Sequence, residues 1–227
     1  MPNVDVWHLR LDRGDPAVPQ GTLSERERLR ALEFHRPADR ERYVRGREGL
    51  RAILNGYLHR GVSPSGVEIG ENPAGKPKVA GLEFSVTHAG DDYLCAVAGD
   101  IPVGIDVEPL GDLRDLEGLV AACCTAPERI FVESAPAVAR SREFSRLWVR
   151  KEAVLKAAGC GLGTIAPHEI DVLEPRARLG GLEWDLHDVG LTGFACAVAL
   201  EHRRSASRTL VPITVRPISY HLQRFAS

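Results

Sequence analysis

Two carboxylates lie two positions apart in the otherwise apolar segment PVGIDVEPL, at residues 102–110: Asp106 and Glu108. Side chains two positions apart on a strand project from the same face, so these two converge while Ile105 and Val107 face the other way. Two like charges this close repel unless a proton or a cation relieves the repulsion. Hard oxygen donors with positions left for water and phosphate suit Mg²⁺. The alternative is a strand end whose acids face solvent.

A second chemical pattern lies in LWVRKEAVLKAAG, at residues 147–159. Trp148, Glu152 and Lys156 follow one another at intervals of four, so they line one face of a predicted helix. An exposed ion pair between Glu152 and Lys156 is the alternative reading of this spacing. Glu152 and Lys156 lie at the edge of the apolar stripe of this helix. The stripe consists of Phe144, Leu147, Val154, Leu155 and Ala158.

Two further stretches offer groups that bind anions. Lys76 stands between Gly75 and Pro77, and a lysine in so rigid a loop loses little freedom when it binds a phosphate. Thr87 and His88 stand together at a strand end, where a hydroxyl and an imidazole can add hydrogen bonds to an anion. Taken separately, a Gly-Lys-Pro turn and a lone histidine are both common structural features.

Helices and strands alternate along the chain in a way that can position these groups. The alternating segment VDVWHLRLD predicts a strand, Ser24 and Glu27 have capping-box spacing, and a long helix follows that ends at Gly61. LEFSVTH and DYLCAVAGD predict a hairpin around AGD, and the stretch from Ser63 to Leu82 predicts mostly loop. In the second half we expect helices in APERIFVESA and SREFSRLWVRKEAVLKAAGCGLG, and strands in HEIDVLEP, LEWDLHDVG, FACAVALEH and TLVPITVRPI.

A short motif recurs along the chain: YLCAVAG at residues 93–99 returns as FACAVAL at residues 194–200. Chance is one explanation, because these residue types are common in buried strands. The other is a pair of similar halves with a functional cleft between them. On that reading the boundary lies next to the acidic pair.

The overall composition excludes several classes of function. The 227 residues are 44% hydrophobic and 26% charged with a net charge of −2, which is typical of a globular protein and argues against nucleic-acid or membrane partners. No apolar run could span a bilayer and the N-terminus does not read as a signal peptide, so we expect a cytoplasmic protein. The five cysteines form no Cys-x-x-Cys pair, which predicts reduced thiols.

Taken in order, GKPKV, FSVTHAG, VGIDVE and WVRKEAVLKAAGCGL resemble the 4′-phosphopantetheinyl transferases, specifically the single-chain Sfp-type group. The most specific parts are G-I-D-V-E and W-x-x-K-E-A-x-x-K, and the resemblance extends over about residues 20–165. It implies an α+β fold of two similar α/β halves packed as an intramolecular pseudo-dimer, hence a monomer. The halves would be residues 1–102, on the coenzyme A nucleotide side, and residues 103–227, with the metal-binding acids and the catalytic helix.

The resemblance also implies a reaction, in which the phosphopantetheine arm of coenzyme A moves to a serine of an apo acyl, peptidyl or aryl carrier protein. Adenosine 3′,5′-bisphosphate leaves. By this likeness the metal ligands, for Mg²⁺ or possibly Mn²⁺, are Asp106, Glu108 and Glu152, and the catalytic residues are Glu152, Lys156 and Asp106. The coenzyme A contacts implied are Arg36, Arg42, Gly75, Lys76, Pro77, Thr87, His88 and Lys156.

At two points the roles of residues in the family do not carry over directly to this chain. Where the family often has a basic residue early in the first helix, this chain has Glu27, and Arg30 would be the basic residue that remains for that role. The group that removes the serine proton is either Glu152 or Glu128, although Thr125 and Glu128 also fit a capping box, which favours a structural role for Glu128.

Two other functions use the same residues. An Mg²⁺-dependent nucleotide pyrophosphate hydrolase would need the same acids and lysines, and only the requirement for a carrier protein separates it from the transferase. A non-catalytic binder of carrier proteins or coenzyme A would be expected to lack one of the acids or the lysine, and all of them are present.

Overall fold

A computed structural model describes residues 4–13, 18–58, 63–161, 163–203 and 213–218. Two four-stranded sheets and five helices make up most of this part of the chain. Among its helices, none is long and apolar enough to cross a membrane.

The first half of the chain supplies one sheet and two helices. Its elements are β1 (Val4–Arg10), α1 (Glu25–Leu32), α2 (Pro37–Leu58), β2 (Gly70–Glu71), β3 (Pro77–Lys78), β4 (Phe84–Ala89) and β5 (Asp92–Val97). The capping box at Ser24 and Glu27 forms as predicted and starts α1. The hairpin of β4 and β5 also forms, with Ala89 opposite Asp92 and the turn at Gly90 and Asp91.

The second half supplies three helices and the other sheet. Its elements are β6 (Val103–Pro109), α3 (Leu116–Cys123), α4 (Ala126–Ser134), α5 (Ala137–Ala157), β7 (Arg176–Leu179), β8 (Leu182–Asp188), β9 (Phe194–Glu201) and β10 (Ile213–Pro217). The sequence did not predict α3, which the side chain of Asp115 caps, or β7. Gly61, expected to end α2, and the first residues of TLVPITVRPI lie outside the described residues.

The strand predicted in HEIDVLEP is wrong. A 3₁₀ turn, Pro167–Glu169, occupies its start, and the next strand after β6, β7, begins only at Arg176. The backbone here bonds to side chains instead of to a neighbouring strand: the N–H of Val172 donates to Glu128 at 2.9 Å, and its carbonyl accepts from Arg150 at 2.9 Å. Ile170 and Val172 are nevertheless fully buried, which explains why their alternation resembled a strand.

The two sheets share an arrangement of three strands, β1-β5-β4 in one and β6-β9-β8 in the other. The first has the order β10-β1-β5-β4 and the second β6-β9-β8-β7. In each, the strand that carries the recurring motif, β5 or β9, is central and antiparallel to both neighbours. A long helix, α2 or α5, precedes the hairpin in each half. The last described strand, β10, joins the first sheet by parallel pairing with β1.

Three apolar clusters hold these layers together. One lies between α2 and the first sheet, around Trp7, Leu50 and Phe84. A second lies between α5 and the second sheet. The third joins the two sheets and includes Val6 of β1 and Ile105 of β6. Since each fully buried side chain of this size contributes about 1.5–3 kcal/mol, the third cluster fixes the two halves against each other beside the acidic pair.

Candidate active site

The acid-bearing strand β6 lies in direct backbone contact with helix α5. Gly104 makes this possible, because a Cβ at that position would stand 1.9 Å from the carbonyl oxygen of Ala153 and 2.4 Å from the nitrogen of Ala157. Gly104, Asp106 and Glu108 share one strand face, as predicted from their alternation. The close approach therefore brings the Asp106 carboxylate to the side chains of α5.

Asp106 is buried and bonded on one side only. Its Oδ1 atom accepts from the hydroxyl of Thr87 on β4 at 3.0 Å and from the ammonium of Lys156 on α5 at 2.6 Å. Its Oδ2 atom is buried and has no hydrogen-bond partner. Asp106 is 5% exposed, so a solvent-facing carboxylate, the alternative raised by the sequence, is wrong for this residue.

Glu152 is the second buried carboxylate of the site. It is 6% exposed, and its Oε1 atom has no hydrogen-bond partner. Burial, the largest cause, and the charge of Asp106 raise the pKa of Glu152 to about 7, although Lys156 acts in the opposite direction. A carboxyl with such a pKa exchanges a proton readily near neutral pH.

Glu108 lies at the outer end of the same face and is half-buried. Burial and the charge of Asp106 raise its pKa, while the indole N–H of Trp148 and the charge of Lys156 lower it. The Trp148 ring stacks on Phe144 with their centroids 6.4 Å apart. Trp148 therefore lies beside the acids, as its spacing on the helix predicted.

The chemistry of these donors fits a divalent cation. In the described part of the chain, no three His, Cys, Asp or Glu side chains are already grouped as a metal site. Asp106 and Glu152 nevertheless each present a buried carboxylate oxygen without a partner. Mg²⁺ in proteins is commonly held by one or two carboxylates together with substrate phosphates and water. The two free oxygens match that requirement.

Lys76 bonds to the backbone of the acid-bearing strand, β6. Its ammonium donates to the carbonyl of Val103 at 2.9 Å, and burial lowers its pKa. Asn72, which the sequence analysis did not single out, organises this loop: its Oδ1 atom accepts from the N–H groups of Ala74 and Lys76, both at 2.9 Å. The Asn-Pro dipeptide that begins the turn was the available signal.

Thr87 and His88 leave β4 on opposite faces, because successive strand residues alternate. Thr87 is buried and donates to Asp106, whereas His88 is exposed. The two side chains thus do not present a joint binding face. Of the two expected arginines, Arg42 pairs with Asp91 at 2.5 Å and with Asp39 at 3.2 Å. Arg36 is exposed immediately before α2.

Glu27 is a structural residue in this chain. It is 5% exposed, and its carboxylate accepts from the N–H of Ser24 at 2.8 Å and from the guanidinium groups of Arg47 at 2.6 Å and Arg51 at 2.7 Å. Arg30 pairs with Glu33. At the position where the family often has a basic residue, this chain therefore has a carboxylate that connects α1 to α2.

Glu128 is fully buried, and both of its oxygens are engaged. Oε1 accepts from the N–H of Val172 at 2.9 Å, and Oε2 accepts from the N–H of Thr125 at 2.8 Å and pairs with Lys151 at 2.6 Å. The capping box with Thr125 is complete, which confirms the structural role. No oxygen of Glu128 is available to a serine substrate.

Comparison with known proteins gives the family. Residues 102–199 match the model of the 4′-phosphopantetheinyl transferase superfamily. The chain is 36% identical over 193 residues to the 4′-phosphopantetheinyl transferase HetI of Nostoc sp., covering 81% of each protein. The chain belongs to the 4′-phosphopantetheinyl transferases. The family prediction is confirmed, and with it the α+β fold of two similar halves.

Two other relatives are also named as 4′-phosphopantetheinyl transferases. A putative 4′-phosphopantetheinyl transferase of Synechocystis sp., slr0495, is 29% identical over 71% of this chain and 67% of that protein. The 4′-phosphopantetheinyl transferase of Bacillus subtilis is 27% identical over 67% of each. Like its family, the transferase uses coenzyme A as substrate and acts on carrier proteins.

Proposed function

We propose that this transferase moves the phosphopantetheine arm of coenzyme A onto a serine of an apo acyl or peptidyl carrier protein at the cluster of Asp106, Glu108, Glu152 and Lys156. One observation carries the assignment to these residues: two buried carboxylate oxygens, on Asp106 and Glu152, lack partners although an ammonium stands 2.6 Å from one of the acids. Buried carboxylate oxygens without partners are costly, so this arrangement suits a site that a cation and a phosphate complete.

Asp106, Glu108 and Glu152 hold Mg²⁺, or Mn²⁺, in this proposal. The ion supplies neutralisation of charge on the pyrophosphate when it is bound. The pairing of Asp106 with Lys156 and Thr87 fixes the orientation of the carboxylate, so its free Oδ2 atom points in a set direction. Asp106 therefore needs little reorganisation to act as a ligand.

Glu152 accepts the proton of the carrier serine. An oxygen of Glu152, Oε1, has no hydrogen-bond partner, whereas both oxygens of Glu128 are engaged. The serine oxygen forms a bond to the phosphorus that bears the pantetheine arm, and the bond from that phosphorus to the oxygen of the leaving nucleotide breaks. The electron pair leaves with adenosine 3′,5′-bisphosphate. Lys156 contacts the phosphate and offsets its charge.

The coenzyme A nucleotide binds on the side of the first half in this proposal, residues 1–102, while residues 103–227 supply the acids and α5. The loop of Gly75, Lys76 and Pro77 borders the nucleotide. The other proposed contacts to coenzyme A are Arg36, Arg42, Thr87 and His88, of which Thr87 also orients Asp106. Because both halves lie in one chain, the working form is a monomer.

The test is the intact mass of a purified apo carrier protein after incubation with the enzyme, coenzyme A and Mg²⁺, with EDTA in a parallel reaction. We expect a metal-dependent gain of one phosphopantetheine. Asp106→Ala should abolish the gain, whereas Asp100→Ala, which removes an exposed carboxylate paired with Arg203, should not. Cleavage of coenzyme A with no gain on any carrier type would instead show a pyrophosphate hydrolase.

A further inference from the structure

Two ammonium groups bind the free edge of β6. This strand ends its sheet, so one row of its backbone groups is not paired with another strand. Lys76 donates to the carbonyl of Val103 at 2.9 Å, and Lys156 donates to the carbonyl of Ile105 at 3.2 Å. Carbonyls two residues apart on one strand edge are separated by about 7 Å. The two cations therefore stand side by side along this edge.

The two lysines come from different parts of the chain. Lys156 lies in the last turn of α5, whereas Lys76 lies in the loop between β2 and β3. An attachment of that loop to the end of α5 would hold the spacing that their bonds to β6 set. The side-chain amide of Asn72 makes such an attachment, because its Nδ2 atom donates to the carbonyl of Gly159 at 3.1 Å.

The attachment is built on both sides. In the loop, the Asn72 backbone N–H donates to the carbonyl of Lys76 and its own carbonyl accepts from Gly75, both at 2.9 Å, in addition to the two bonds that its Oδ1 atom accepts. On the helix, Gly159 has φ +70° and ends α5 while its carbonyl stays free for the amide. One amide thus closes the loop with its oxygen and holds it to α5 with its nitrogen.

We propose that Asn72 is a positioning residue for coenzyme A, which sets the spacing of Lys76 and Lys156 by holding the lysine loop against the end of α5. The inference rests on the proposed function, in which Lys156 contacts the phosphate and the loop of Lys76 borders the nucleotide of coenzyme A. A preset pair of cations binds several phosphates at a lower entropic cost than two independent side chains. Asn72 itself touches none of the reacting atoms, so its effect falls on binding.

The test compares two substitutions at one position. Asn72→Asp keeps oxygens that accept from the loop N–H groups but removes the donor to Gly159, and Asn72→Ser keeps a shorter acceptor and adds no charge. We expect both to raise the KM for coenzyme A by about three- to tenfold, the worth of one hydrogen bond, with kcat and the KM for the carrier within about twofold. The dissociation constant of coenzyme A, from calorimetry, should rise in parallel.

Asn55→Asp on α2 is the matched control for the added charge, and it should leave the KM for coenzyme A unchanged. A wild-type KM and dissociation constant in both Asn72 variants would overturn the inference, as would a loss confined to kcat. Thermal melting of each variant identifies a general loss of folding, which would affect both substrates alike. If the wild-type protein modifies no carrier, the proposed function fails, and the calorimetry still tests whether Asn72 sets the affinity for coenzyme A.

Discussion

Replacing Gly104 by alanine should separate the two elements that form the active site. The added Cβ would stand 1.9 Å from the oxygen of Ala153 and 2.4 Å from the nitrogen of Ala157, both backbone atoms of α5. Neither can move by a change of rotamer. An ordinary contact begins at 3.4 Å, so the helix must move away from β6 by about 1.5 Å.

This displacement carries the functional side chains of α5 with it. The contact of 2.6 Å between Lys156 and Asp106 would lengthen to about 4 Å, beyond hydrogen-bonding distance. Overpacking of this kind costs about 1–3 kcal/mol, and a misplacement of about 1 Å at a reacting centre costs about 10²-fold in rate. We therefore expect Gly104→Ala to lower the rate of transfer about a hundredfold and the melting temperature by about 3–10 °C.

The assay is the initial rate of carrier modification by intact mass, with circular dichroism and thermal melting of the same preparations. Gly111→Ala is the matched control, since a Cβ there meets nothing within 4 Å and the backbone change is the same. It should retain the wild-type rate and melting temperature. A folded Gly104→Ala variant with a rate within about threefold of wild type would refute the link between this contact and the site geometry.

Three further results are expected. The pKa of Glu152 is raised from its ordinary 4.5 to about 7, so in EDTA this residue's favourable contribution to stability is complete below pH 4.5 and is lost as the pH rises through 7. Glu152→Gln should remove that loss. In urea titrations the free energy of unfolding of the variant should therefore exceed that of the wild type by an amount that grows to roughly 2–3 kcal/mol between pH 4.5 and 7. Parallel pH profiles of the two proteins would contradict this. Lys151→Met should cost about 3–5 kcal/mol because it leaves Glu128 buried and unpaired, and adding Glu128→Gln should restore part of this in denaturation curves. If the double variant is no more stable than the single one, the ion pair is not the cause. Asp106→Ala should abolish transfer and leave the far-ultraviolet spectrum native, because it removes one of several repelling acids; unfolding would show a structural role.

Local patterns predicted most of the elements that carry the site. The alternation around Asp106 and the spacing of four between Glu152 and Lys156 each need only the geometry of one strand or one helix. The capping boxes at Ser24 and Thr125 are local in the same sense, and both formed. A family motif then connected the acidic strand with the distant helix, and the relatives confirmed that family.

The strand prediction failed where backbone groups form their hydrogen bonds with side chains that are distant in the sequence. HEIDVLEP alternates like a strand, yet the amide of Val172 and the carbonyls near it are bonded to Glu128, Arg150 and Lys151. These side chains lie far from the segment in sequence, so its local pattern does not indicate them. Tertiary contacts also decided what Thr87 binds: it lies on the opposite face of β4 from His88, and its hydroxyl donates to Asp106 of β6.

The sequence by itself determined the chemical identity of the site: which carboxylates share a face, which helix faces them and which family they belong to. Only the tertiary structure decided how charged those groups are and what each one binds. Burial and neighbouring charge raise the pKa of Glu152, and both come from the approach of α5 to β6 at Gly104. The attachment of Asn72 to Gly159 likewise joins residues 87 positions apart. Such contacts depend on how the two halves pack, and local residue spacing does not specify that packing.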